Sequence, residues 1–282
     1  MVAVVDGAGL TAAPAPPARR LGRSGRRRPS VFRAVVLFIA AVYFLVPLYA
    51  ALRFALRSPS GGWSFSAFKS IPSQDGFGSA FELSIKLAVV TTVITLVLML
   101  PTAVFVHLRL PRLRRLMDGL TILPVVIPPV VLIVGVLQVM PTKLTSTSYL
   151  LSLEYVVLAM PFAYRAFDAG LRALDLKTLV EASRSLGGGW ITTLWRVLLP
   201  NLRAAILSAT VLTVALVLGE YTMATLDQYQ TFSVWIVQFD QSNGQISVAA
   251  SFTALLVTWV VLLLIAVLGG RQRGRRLRRE EG

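Results

Sequence analysis

The chain has 282 residues, of which 55% are hydrophobic and only 15% charged, too apolar for an ordinary soluble domain. Its formal net charge is +15, but the arginines cluster beside apolar runs, which points to anionic lipid headgroups and not to nucleic acid. With no cysteine and a single histidine, His107, a disulfide framework, thiolate metal sites and a multi-histidine metal centre are excluded.

Residues 1–33 are rich in Pro, Gly, Ala and Arg and lack an apolar core followed by a cleavage site. They read as a disordered basic tail, not a signal peptide. About 20 apolar residues are needed to cross a ~30 Å hydrocarbon core. Six stretches qualify: 34–56, 84–107, 119–140, 150–170, 204–224 and 247–268. Together they predict an all-α integral membrane domain over 34–268. The third holds Pro124, Pro128 and Pro129. Proline removes a backbone donor and clashes with the preceding turn, so this span should bend, either beside a pathway or simply for packing. The fourth ends with Arg165 and Asp168.

Lys and Arg in the loops set the orientation. The N-terminal tail, the "RLPRLRR" loop at 109–115, the segment between spans four and five, and the basic tail 269–282 all carry several cations. The alternating loops carry few, and none lies between Glu220 and Ile246. Six spans with both termini in the cytoplasm satisfy the pattern.

The segment 175–200 is too polar to span. "LKTLVEASRSL" places Leu179, Ala182 and Leu186 at helical spacing. Gly187, Gly188 and Gly189 then break the helix, since glycine takes up positive φ readily. A second short helix, "WITTLWRVLL", should stop at Pro200. The product is a cytoplasmic knob, either a dock for a partner or a hairpin lying in the headgroups.

This stretch resembles the signature loop of bacterial ATP-binding-cassette importer permeases: Glu-Ala-Ala, three residues, Gly, nine residues, a hydrophobe, one residue, Leu-Pro. Here Glu181, Ala182 and Ser183 open it, Gly187 keeps the spacing, and Val197, Leu199 and Pro200 close it. Ser183 and Val197 depart mildly from the usual alanine and isoleucine. The resemblance implies a six-span permease of the molybdate- and maltose-importer type, with 175–200 as its coupling helices. It also implies two ATPase subunits that bind ATP and Mg, a second permease chain (identical or homologous), and an extracytoplasmic substrate-binding protein. The location would be the bacterial inner membrane. No G-x-x-x-x-G-K-[ST] loop occurs in this sequence, so no cofactor, catalytic or metal site is expected in the chain itself, and ATP hydrolysis falls to a partner.

The stretch "LGEYTMATLDQYQTFSVWIVQFDQ" looks most like the polyamine, phosphonate and ferric-ion branch. Its Glu220, Tyr221 and Asp227 could meet a cationic solute, a polyamine being the first example. They could equally form the interface to the binding protein. Pro128 and Pro129 join them as candidate pathway residues. A secondary transporter or channel driven by an ion gradient is the alternative. It would place several ionisable residues inside the spans, where the sequence offers only Glu220, Arg165 and Asp168 near their ends.

Overall fold

The computed structural model describes residues 31–58 and 61–280, with side chains through 267; the tail 1–30 lies outside the described residues. The chain divides into two units, up to Leu48 and from Tyr49 onward. Within the first, the described residues form the opening of α1 (Val31–Ala55), and every side chain from 31 to 48 is exposed. An apolar run of this kind suits a hydrocarbon solvent.

The second unit holds the remaining helices. After α1, a short α2 (Ser66–Ser70) leads to the long α3 (Phe77–Arg109). Next come α4 (Arg114–Val126), α5 (Pro129–Val139), the one-turn α6 (Thr142–Thr145) and α7 (Ser148–Arg172). The loop helix α8 (Leu176–Ser185) is followed by α9 (Trp190–Thr192), a π-helical turn Thr193–Leu198 and α10 (Leu199–Gly219). The chain ends with α11 (Thr222–Leu226), α12 (Phe232–Asp240) and α13 (Gly244–Glu280). Helices satisfy their own backbone groups, which is what a hydrocarbon solvent demands.

Among the described residues, five helices are long and apolar enough to cross a membrane, and α4 with α5 makes a sixth if the broken pair is one span. The expected bend is a full break of 94°. Ile127 and Pro128 both precede a proline and are extended, with ψ of 127° and 133°. Proline drives the residue before it out of the helical region, so two in succession end α4, and Pro129 then starts α5.

One expectation is corrected here. The helix after the glycines does not stop at Pro200 but runs from Trp190 to Gly219. The π turn before Pro200 shifts the hydrogen-bond register, and Asn201 Nδ2 donates to the Val197 carbonyl at 2.7 Å. Proline lacks a backbone donor, and the helix continues past it with one bond fewer beside the π turn. The spans also differ at their ends: span two begins at Phe77 and span five ends at Gly219.

The helices α3, α7 and α10 pack together. Their core joins Leu100, Val104, Phe167, Leu171 and Leu202 with Leu176 and Leu198 of the loop. A second cluster, including Leu87, Tyr155, Val217 and Met223, lies toward α11.

Candidate functional site

The segment 175–200 is a helix-turn-helix rooted in that first core. Asp175 caps α8: its carboxylate accepts the Thr178 amide at 3.4 Å and the Thr178 hydroxyl at 2.7 Å. The hydroxyl and then the amide hold the Asp175 carboxyl below its ordinary range. Leu176, Val180 and Ser183 are the buried residues of α8. The face expected from spacing is therefore rotated: Ala182 and Leu186 point outward, Leu186 at 89% exposure.

Gly187 has φ of +79°, a left-handed conformation that L side chains adopt only at a cost. It makes the turn expected of it. Gly188 was not singled out by the sequence, yet it has the tighter surroundings. A Cβ there would lie 2.5 Å from Ser183 Oγ and 2.7 Å from the Ser183 carbonyl oxygen. That same carbonyl accepts the Gly188 amide at 2.8 Å. Ser183 also bonds the second helix, its Oγ lying 2.8 Å from Thr193 Oγ1. Thr193 Oγ1 donates to the Gly189 carbonyl at 3.0 Å, so Ser183 is the donor between the two hydroxyls. The serine that departs from the motif's alanine thus joins the two arms of the knob.

Of the remaining motif residues, Glu181 is exposed, while Val197, Leu199 and Pro200 are half-buried where the loop enters α10. The outward side of the knob presents Leu186, Trp190, Ile191 and Trp195. These side chains leave apolar surface exposed on the knob, which suits either a partner protein or the lipid headgroups.

The second candidate group lies at the other end of α10. Glu220 follows the helix, and its carboxylate accepts from the Met223 amide (2.9 Å), the Ala224 amide (3.3 Å) and the Tyr155 hydroxyl (3.0 Å). Its own carbonyl accepts from Ser233 Oγ at 2.7 Å. Glu220 therefore caps α11 and ties it to α7 and α12. Tyr221 is exposed, and Asp227 ends α11 half-buried, its carboxyl pushed above the ordinary range by burial. The exposed Pro128 and half-buried Pro129 open α5, which packs against α11. The sequence reading overlooked Glu154. It lies inside α7 at 3% exposure, within electrostatic range of Asp227 and Glu220, and its carboxyl oxygens have no hydrogen-bond partner among the described residues.

The family of binding-protein-dependent transport system inner membrane components matches residues 88–278, which include the whole knob and both polar groups. The chain belongs to this family. Among inner membrane components like it, a probable molybdenum ABC transporter permease protein of Haloferax volcanii is 31% identical over 221 residues, covering 73% of this chain and 77% of that one. An Fe(3+)-transport system permease protein of Haemophilus influenzae is 33% identical over 106 residues, 38% of this chain; the chain spans only 21% of that relative's length. Two solved structures of a bacterial alginate ABC transporter share the fold of this inner membrane component. One, of the importer of that acidic polysaccharide, has a TM-score of 0.65 at 16% identity and covers 85% of this chain and 95% of its own. The other, in complex with an alginate pentasaccharide-bound periplasmic protein, has a TM-score of 0.62 at 15% identity and covers 86% and 94%.

Proposed function

We propose that this chain is the membrane-spanning permease subunit of an ATP-driven importer. It would work with two ATPase subunits, a second permease chain and an extracytoplasmic substrate-binding protein, with both of its termini in the cytoplasm. The observation that carries the reading is the double character of the knob. Its outer side offers Glu181 and an apolar patch, while its roots, Leu176 and Leu198, share one core with α3, α7 and α10. A partner that pushes on this surface moves the spans, because packed interiors transmit displacement.

The periplasmic protein bound to the alginate transporter supports the binding-protein partner. The relatives named for Fe(3+) and molybdenum support a small metal-containing solute; none of them supports a polyamine. Glu154 is the one observation that favours an ion-gradient transporter, since a buried carboxylate inside a span is a functional candidate by default. A single such group falls short of the several that mechanism needs.

The absence of cysteine gives a direct test. A Cβ at Gly189 meets nothing within 4 Å, so Gly189→Cys should fold. An impermeant thiol reagent should label it in inverted vesicles and not in intact cells, and the co-purifying ATPase should protect it. Gln241→Cys, at an exposed site, should show the opposite sidedness. Labelling of Gly189→Cys in intact cells, or labelling that no ATPase diminishes, would reject the reading.

A further inference from the structure

Asp168, near the loop end of α7, gathers two arginines and a histidine from three helices. Its Oδ1 accepts from Arg114 Nη2 at 3.0 Å and stands 3.0 Å from His107 Nε2. Its Oδ2 pairs with Arg172 Nε at 2.7 Å. Arg114 opens α4, His107 lies in the last turn of α3, and Arg172 is one turn along α7 itself. His107 is oriented by the Ala103 carbonyl, 2.8 Å from its Nδ1. The Asp168 side chain is 14% exposed and that of His107 only 4%, so the Asp168 carboxylate is partly shielded from solvent.

The site matters because of what lies on either side. Asp168 sits between Phe167 and Leu171, both in the core that roots the knob. Seven residues on, Asp175 begins α8. In the other direction Arg114 begins α4, the helix that ends in the 94° break. Among the 13 residues of α4, Thr121 alone is buried. Met117 packs α4 against the core that holds Phe167 and Leu171, and the Arg114–Asp168 contact adds a charged link between α4 and α7 at the loop end.

We propose that Asp168 is a positioning residue for coupling: by holding Arg114 it makes α4 move as one body with α7 and the knob, so that a displacement of the knob reaches the broken span. The proposal rests on the importer reading above. It names one contact whose loss should separate two motions, which is the form a coupling claim needs.

The two arginines supply a matched pair of variants. Arg114→Ala and Arg172→Ala each remove one cation and each leave Asp168 paired with the other arginine. Only the first cuts a link between helices; the second cuts an i,i+4 contact within α7. In the reconstituted complex, with its ATPase and binding protein, Arg114→Ala should lower substrate uptake per ATP hydrolysed by about tenfold, as loss of a charged hydrogen bond warrants. Arg172→Ala should leave that ratio within about twofold of wild type, and Arg114→Lys should restore part of it. Equal effects of the two alanines would overturn the proposal. So would a fall in uptake and hydrolysis in parallel with the amount of complex, since that is what a merely structural contact gives.

A second measurement does not depend on the ATPase. Spin labels on cysteines placed at the exposed Leu116 and Arg184 report the distance between α4 and α8 in the isolated permease. Its distribution should be narrow in the wild-type background and broad with Arg114→Ala; an unchanged distribution would overturn the tie. If the wild-type complex hydrolyses no ATP while the distance behaves as stated, the importer reading fails and the tie stands.

Discussion

Glu181 stands exposed on α8, whereas Glu220, just beyond α10, accepts three hydrogen bonds from its own chain. Both are glutamates at the edge of an apolar domain, and both were candidate functional residues. The difference lies in where their partners are. At the knob, the internal polar bonds are hydroxyl and backbone contacts between the two arms, and the charged and aromatic groups face outward. Around α11 the carboxylate of Glu220 turns inward to the α11 amides and the α7 tyrosine, while its backbone carbonyl holds α12. A residue whose bonding capacity is filled from within holds the fold in place. A residue left exposed beside apolar surface remains available to another molecule. The knob therefore keeps the open outward surface that the proposed coupling requires, and Glu220 braces the far end from within.

Gly188→Ala should break this comparison most sharply on the knob side. The new methyl would lie 2.7 Å from a backbone carbonyl, which cannot swing aside as a side chain can. Overpacking of this kind costs about 1–3 kcal/mol, and here it forces α8 and α9 apart. Uptake in the reconstituted complex should fall by at least about tenfold, with normal amounts of permease in the membrane. Gly187→Ala should cost less, about 1 kcal/mol for the left-handed backbone alone, since nothing lies within 4 Å of its Cβ position. An order reversed between these two variants would mean that the turn, not the close approach of the arms, governs the knob.

Glu220→Ala tests the other side. It leaves the Met223 and Ala224 amides and the Tyr155 hydroxyl without their acceptor, and Tyr155 is fully buried. Hydrogen bonds to a charged group contribute about 1.5–3 kcal/mol each. Thermal stability of the detergent-solubilised permease should drop measurably, and uptake should fall only in proportion to folded protein. Were uptake lost with stability unchanged, Glu220 would belong to the substrate pathway after all. Tyr155→Phe should reproduce part of the stability loss.

Much of this arrangement was legible in the sequence because it rests on local chemistry. Apolar length marked the spans, the proline cluster marked the third span as bent, and motif spacing placed Gly187 at the turn. What escaped depends on partners distant along the chain. The buried face of α8 could not be chosen from periodicity, because two neighbouring stripes satisfy it. Ser183 faces inward only because the Thr193 hydroxyl, ten residues on, receives it. Gly188 looked interchangeable with its neighbours until the Ser183 carbonyl was placed beside it. Asp168 appeared as a charge near a helix end, and nothing local reveals that Arg114, 54 residues earlier, reaches it. Glu154 hid for the opposite reason: one acid in an apolar run is diluted in any window long enough to detect a span. The helix through Pro200 escaped because a π turn shifts the register that proline would otherwise break.

Asp227 provides the smallest effect and a test of sign. Burial raises its carboxyl above the ordinary value of 3.8, and Asp227 Oδ2 has no hydrogen-bond partner among the described residues. The folded chain thus holds a proton at pH values where the unfolded chain has released it. Its contribution to stability is full below the ordinary carboxylate value and is lost as pH rises through the raised one. At neutral pH the group carries a desolvation cost that a neutral side chain of the same shape avoids. Asp227→Asn should therefore leave the solubilised permease slightly more stable at neutral pH. It should also flatten the fall in stability seen as pH rises from the acid side, as followed by thermal melts across pH. A destabilised variant at neutral pH would show that the ionised carboxylate has a favourable partner there, and that the cluster around α11 is not the self-contained brace that Glu220 makes it.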